Sequence, residues 1–269
     1  MNKTKIEWCD FTINPVKGLC PIDCKDNRGK PYCYARRIYK WFKWNPEIRF
    51  EPIRDDDLPK TPSRIFVGST IELFGEWVDA FWMDSIFRTV KDNPQHIFIF
   101  LTKQPQNFAK WSPFPDNCWV GVSTCNQEQA NEFIPILMST NAKVRFVSIE
   151  PMLSSINLNK LLFGWEYSSG NREPWYINAF ENKYIFGDEG DIDLKKINWL
   201  IIGQQTPVSV KTQPKISWIS KIVEAADKAG VPVFLKDNIL DIINCNSSET
   251  AFAFDKAGYY RQEITKLGI

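Results

Sequence analysis

Six short runs of apolar residues set the rhythm of the chain. They are Arg64 to Thr70 (RIFVGST), His96 to Lys103 (HIFIFLTK), Cys118 to Thr124 (CWVGVST), Val144 to Glu150 (VRFVSIE), Trp199 to Gln204 (WLIIGQ) and Val231 to Lys236 (VPVFLK). Within each run apolar residues follow one another instead of alternating with polar ones. That is the pattern of a strand buried on both faces, as in a parallel sheet covered by helices. Helical patterns lie between the runs. Val78 to Lys91 places Phe81, Trp82, Ile86, Phe87 and Val90 on an apolar face and stops at Asn93-Pro94. Gln127 to Ser139 follows Asn126, a good N-cap, and Ser217 to Ala229 ends at Gly230, a good C-terminal cap. Alternation of strand and helix predicts an α/β fold. The expected form is a parallel (β/α) barrel, complete or partial, of about six to seven βα units, with an open doubly wound sheet as the alternative.

Two stretches break the rhythm. The first sixty residues are punctuated by prolines, and residues 151–198 carry several glycines and aromatics without a helical period. The expected organisation is one domain over residues 1–269, with an insertion at about 151–198, for which a hairpin is one expected form, and a C-terminal extension at about 238–269.

Composition narrows the classes. The chain has 269 residues, 33 Lys+Arg against 32 Asp+Glu and a net charge of +1, so it lacks the polycationic field of a general nucleic-acid binder. No run approaches the about 20 consecutive apolar residues of a membrane span, and the polar start from Met1 to Trp8 lacks the apolar core of a signal peptide. These features predict a cytoplasmic protein that makes no use of a membrane. Seven cysteines in a reducing compartment are then thiols available for metal or chemistry. The single histidine, His96, removes both the usual zinc site and the usual general base, so a metal would have to be held by sulfur or carboxylate.

Polar residues stand at the ends of the apolar runs: Ser69, Thr70 and Glu72; Thr102 and Lys103; Ser123 and Thr124; Ser148 and Glu150; Gln204 and Gln205; Lys236 and Asp237. In a parallel barrel such positions form the C-terminal mouth, where active sites are built. Glu150 and Lys236 are candidate catalytic groups, with Lys236 suited to a phosphate or carboxylate. Cys125, just past its strand, is a candidate hydrogen-atom donor, against the plainer role of a small buried hydrophobe. Arg36 and Arg37 precede Trp41 and Trp44 on a helical stretch, which reads either as a packing seam or as a basic–aromatic surface for a nucleobase.

The most specific feature is Cys20, Cys24 and Cys33 in GLCPIDCKDNRGKPYCYARR, a C-x3-C-x8-C spacing. Three thiolates can hold three irons of a 4Fe-4S cube and leave the fourth open. A zinc site completed by Cys9 is the competing reading. The loop resembles that of radical S-adenosylmethionine (SAM) enzymes, C-x3-C-x-Φ-C, with Tyr32 as the aromatic residue before Cys33; it departs in having six extra residues between Cys24 and Tyr32. The wider chain resembles an uncharacterised phage and bacterial family of radical-SAM-like proteins. The resemblance runs through IEWCDFTINPVKGLC, PYCYARR, FVGSTIELF, FLTKQPQNF, WVGVSTCNQ, VRFVSIEPML, INWLIIGQQ and AGVPVFLKD. That family usually reads Gly-Gly-Glu where this chain has Gly203-Gln204-Gln205.

The resemblance implies a radical-SAM-like barrel enzyme in which Cys20, Cys24 and Cys33 ligate the cluster and Tyr32 lies against the SAM adenine. Ser69, Thr70 and Glu72 would meet the SAM amino group; Thr102, Lys103 and Ser123 would meet its ribose and carboxylate, with Gln204 also lining the cofactor. It further implies an electron donor such as a flavodoxin or ferredoxin, and an unidentified substrate for which a nucleotide or nucleic acid is a candidate class. The alternative from another class is a noncatalytic iron–sulfur or zinc protein that acts as a nucleic-acid or partner-binding module.

Overall fold

The computed structural model describes residues 2–168, 171–187, 190–244, 250–255 and 260–265. Cys245 lies outside them. The strands are β1 (Asn2–Lys3), β2 (Phe11–Ile13), β3 (Val16–Lys17), β4 (Arg49–Phe50), β5 (Arg64–Val67), β6 (Ile97–Thr102), β7 (Cys118–Ser123), β8 (Val144–Ile149), β9 (Leu161–Ser168), β10 (Asn171–Ile177), β11 (Lys183–Ile185), β12 (Ile192–Leu194), β13 (Trp199–Ile202) and β14 (Val233–Leu235). The α-helices are α1 (Tyr34–Phe42), α2 (Ala80–Asp92), α3 (Gln127–Ser139), α4 (Ile216–Ala229) and α5 (Leu240–Asn244).

The main sheet has the order β1-β2-β5-β6-β7-β8-β13-β14, and its seven strands from β2 onward are parallel. Every parallel strand is added on the same side of the one before it. A doubly wound sheet reverses direction at a switch point, and this one does not, so the order is that of a partial parallel barrel. The strand missing from the six apolar runs is β2. At three residues between Asp10 and Asn14-Pro15 it is too short to carry a pattern, yet it pairs in register with β5 (Phe11 with Ile65, Ile13 with Val67).

The elements form for local reasons. Asp79 caps α2 by accepting from the Phe81 amide at 2.7 Å, and Asn126 caps α3 by accepting from the Gln129 amide at 2.9 Å. Gly230 ends α4 at φ 65°, a left-handed conformation that glycine adopts without a Cβ clash. Strands stop earlier than the apolar runs: β5 ends at Val67, β13 at Ile202 and β14 at Leu235. The polar residues that follow leave the ladder, which frees their side chains for other partners.

The chain divides into two compact units, one built mainly on Met1–Gly121 and the other on Val122–Asn141 and Arg145–Thr265. In the first, Phe74 packs edge to face on Phe100 and Phe108, and Phe87 and Phe108 do so on Phe114, while Phe87 lies tilted at 42° to Phe100; Phe74 and Phe108 stand 4.9 Å apart at 88°. In the second, Trp199 packs against Phe146 and Phe234 and donates its indole N–H to the Glu263 carbonyl at 2.8 Å. Residues 260–265 lie along the outer side of β14, with Phe234 bridged to Gln262 and the Val233 amide on the Glu263 carboxylate at 3.0 Å. An open strand edge is thereby covered. The 151–198 interval forms two antiparallel pairs, β9 with β10 and β11 with β12. No helix among the described residues is long and apolar enough to cross a membrane.

His96 gives this core a pH signature. It is buried, edge-on to Phe98 at 6.1 Å, and burial pushes its pKa below the usual range against an opposing pull from the Pro59 carbonyl. The unfolded chain then binds a proton that the folded chain resists. Stability should hold above the unfolded value near pH 6.5 and fall as pH drops through the acid range below it. Urea midpoints across that range should show the fall in wild type and a flatter profile in His96→Phe.

Candidate functional site

The three cysteines occupy the loop between β3 and α1, and the loop's shape is set by Asp26. Its Oδ1 accepts from the amides of Arg28 (2.8 Å) and Lys30 (3.0 Å), and its Oδ2 accepts from the Arg28 guanidinium at 2.6 and 3.1 Å. The Gly29 amide donates to the Asp26 carbonyl, with Gly29 at φ 75° completing the turn. Lys25 and Pro31 then pair as an antiparallel bridge, and the Tyr32 amide reaches the Cys24 carbonyl at 3.1 Å. The surplus residues are folded out as a small closed hairpin. Cys24 and Tyr32-Cys33, eight positions apart, are returned to adjacency.

The sulfurs register that adjacency. Cys24 donates to Cys33, and this bond is the largest cause of a Cys33 pKa lowered to about 6; the Ala35 and Arg36 amides at the start of α1 and the Lys103 ammonium lower it further, against burial. The same bond, with burial, holds the proton on Cys24 and pushes its pKa up, while Lys103 opposes. Burial raises Cys20, which also feels the charges of Glu72 and Cys33. Arg36 holds the first part of the loop, its guanidinium donating to the Cys20 carbonyl at 2.8 Å and the Ile22 carbonyl at 3.2 Å. Arg36 is thus committed to the cysteine loop.

Glu72 is the centre of the strand-end group beside these thiols. It is buried, and its carboxylate accepts from the Thr102 hydroxyl (2.6 Å), the Phe74 amide (2.9 Å) and the Lys103 amide (2.8 Å). Burial pushes its pKa up; these three donors and the Lys103 charge pull it back. Asn14, just past β2, joins Ser69 and Thr70: its Oδ1 accepts from the Thr70 amide at 3.2 Å and the Ser69 hydroxyl at 3.3 Å. The Tyr34 hydroxyl donates to the Ser69 carbonyl. Within this unit the structure therefore brings together Cys20, Cys24, Cys33, Glu72, Thr102 and Lys103, with Ser69 and Thr70 fixed through Asn14.

The second unit holds the remaining candidates. Lys236 Nζ lies 2.5 Å from Glu150 Oε1. The pair passes the backbone at Gly203, where a Cβ would meet Lys236 Cδ at 3.0 Å and Glu150 Cγ at 3.1 Å, so a larger residue there would press on the ion pair. Gln204 is buried and clasped to Asn238: its amide donates to Asn238 Oδ1 at 3.2 Å, Asn238 Nδ2 donates to its carbonyl at 2.9 Å, and its Nε2 donates to the Asn238 carbonyl. Its Oε1 is buried without a protein partner, as are Thr124 Oγ1 and Gln205 Oε1. Ser123 is buried at the end of β7. Cys125 is buried where α3 begins, with its amide on Gln129 Oε1 at 2.8 Å.

Sequence reasoning missed Asn14, Asp26 and Asn238. Asn14 follows the strand that was too short to see. Asp26 and Asn238 act through backbone partners several residues away, and the available signals were turn chemistry in Asp26-x-x-Gly29 and the place of Asn238 just past a strand end. Cys9, the fourth ligand of the zinc reading, is buried with its thiol 3.8 Å from the Ile6 carbonyl. Among the described residues, no group of three or more His, Cys, Asp or Glu side chains stands in a ready metal-binding arrangement.

These features define an α/β protein with a singly wound parallel sheet, a three-cysteine loop and polar strand ends. The protein family described as "Protein of unknown function (DUF5131)" matches residues 3–240, and the chain belongs to that family. No curated protein and no solved structure matches it.

The Glu72 cluster has a measurable weight. Thr102→Val removes one of three donors from a buried carboxylate, a loss of about 1.5–3 kcal/mol. Urea unfolding should show that decrease. The double variant Thr102→Val/Glu72→Gln should be less destabilised than the sum of the two single changes, because both act on one network.

Proposed function

We propose that the chain is a radical-SAM-like enzyme in which Cys20, Cys24 and Cys33 hold a 4Fe-4S cluster with one open iron. The observation that carries this reading is the closed Lys25–Pro31 hairpin. By folding out the surplus residues it gives Cys24, Tyr32 and Cys33 the adjacency of the C-x3-C-x-Φ-C loop, with a hydrogen bond between the Cys24 and Cys33 sulfurs. The donor set suits the cluster: three thiols from one loop, half-buried, beside a lysine that favours thiolate. The chemistry such a cluster would supply is one electron for cleavage of the SAM S–C5′ bond, which would give methionine and a 5′-deoxyadenosyl radical.

The chain's own residues would orient and protect. Arg36 fixes the carbonyls of Cys20 and Ile22, so the first ligand is held by the backbone that α1 anchors. Lys103 brings positive charge beside the thiols and is the natural partner for the SAM carboxylate. Glu72 has two carboxylate oxygens and three protein donors, which leaves accepting capacity for an ammonium group. Ser69 and Thr70 stand with it, and Tyr32 supplies an aromatic face for adenine. Thr102 positions Glu72. Ser123, Gln204, Glu150, Lys236 and Cys125 belong to the second unit, and a small electron-transfer protein would serve as reductant.

Anaerobic reconstitution with iron and sulfide tests this reading. Wild type should become brown and, once reduced, release 5′-deoxyadenosine from SAM. Cys20→Ala, Cys24→Ala and Cys33→Ala should each abolish iron loading, while Cys9→Ala and Cys118→Ala retain it. A colourless zinc protein, or loss of metal in Cys9→Ala as complete as in the loop variants, would replace the open-iron site with a four-thiolate one.

A further inference from the structure

Helix α1 ends in aromatic rings that the fold leaves uncovered. Trp41, Phe42 and Trp44 are 81%, 61% and 48% exposed. Trp41 and Phe42 lie 5.8 Å apart at 17°, and Phe42 and Trp44 lie 5.8 Å apart at 24°. The packing seam of this helix is carried by buried Ala35 and Tyr39, and the expectation is corrected only for the tryptophans, which lie in water. The cluster is rooted in the scaffold. Trp44 meets buried Tyr39 edge-on at 5.3 Å, and the Tyr39 hydroxyl accepts from the Gly18 amide at 2.8 Å.

The turn that brings Trp44 back is closed by Lys43 at φ 51°, with its amide on the Tyr39 carbonyl. Glycine is the easy residue at such a left-handed helix end, and a side chain there adds strain. A cation stands in its place. From Cys33 to Pro46 the chain carries Arg36, Arg37, Lys40 and Lys43 and neither Asp nor Glu. Exposed aromatic faces on a segment whose charged residues before Glu47 are all cations match a polyanion that carries planar groups of its own.

We propose that this face of α1 binds single-stranded nucleic acid, with bases stacked on Trp41, Phe42 and Trp44 and phosphates met by Lys40 and Lys43. Base stacking uses ring faces and tolerates any base, and nearby cations track the backbone. A membrane-inserting surface would add aliphatic side chains, and Lys40 to Trp44 contains none. The overall charge of +1 confines the attraction to this patch, so binding should be salt-sensitive and local. The surface needs no cluster and stands apart from the radical-SAM reading.

Fluorescence anisotropy of labelled oligothymidylate and oligouridylate, titrated with the full chain at several salt concentrations, tests it. Wild type should bind both saturably. Trp41→Ala and Phe42→Ala should each weaken binding about tenfold, while Trp41→Phe, which keeps a stacking face, should stay within about threefold. Lys40→Gln/Lys43→Gln should reduce the slope of log K against log salt by about 1.4. These side chains are exposed, so unchanged circular dichroism is expected in every variant. Cluster-free and reconstituted chains should bind alike, so failure to assemble a cluster would leave this result standing. No saturable binding at low salt would overturn the proposal, as would wild-type affinity in both alanine variants. Capture by phosphatidylserine vesicles without oligonucleotide binding would assign the surface to membranes instead.

Discussion

One carboxylate holds the cysteine loop in shape. Asp26 gathers two backbone amides and two guanidinium contacts inside a turn of a few residues, and neighbouring Arg28 keeps its pKa below the usual carboxylate range. Charge-assisted hydrogen bonds of this kind are short and directional, which suits the closing of a tight turn. Everything that follows in the loop depends on that closure: the Lys25–Pro31 bridge, the return of Tyr32 to Cys24 and the contact between two sulfurs. An insertion that would separate two cysteines becomes a hairpin that keeps them together.

A second constraint acts on the scaffold side. Glu72 follows β5, yet its three donors come from its own turn and from the end of β6, so one buried carboxylate ties two strand ends together. The phenylalanine cluster anchors the same turn through Phe74, whose carbonyl accepts from Asn107 at 2.7 Å. Phe100, Phe108 and Phe114 thus back the turn that carries Glu72 through their edge contacts with Phe74. In the second unit the absence of a Cβ at Gly203 does comparable work by giving the Glu150–Lys236 pair room beside the backbone.

Much of this was legible in the residues. Continuous apolar runs marked six of the seven parallel strands, because burial on both faces leaves no room for alternation. Asn126 and Gly230 marked helix ends through their own backbone chemistry. Polar residues past Val67, Thr102, Ile149 and Leu235 marked the strand ends. Other features depend on partners distant in sequence. β2 is a strand because β5 accepts it. Asn14 matters through Ser69 and Thr70, and Asn238 through Gln204. The exposure of Trp41 was hidden because an apolar stripe reads the same whether another element covers it or not. The C-x3-C-x8-C spacing likewise concealed its own solution, since only the fold shows where the surplus residues go.

On the proposed reading, three loop cysteines hold a cluster whose fourth iron is open to SAM. Electron paramagnetic resonance of the reconstituted, reduced protein tests it most directly. The account predicts the signal of a reduced 4Fe-4S cluster whose g-values shift when SAM is added, because the cofactor binds at the iron itself. A reduced cluster whose signal is indifferent to SAM, or a reconstituted protein with no such signal, would contradict it.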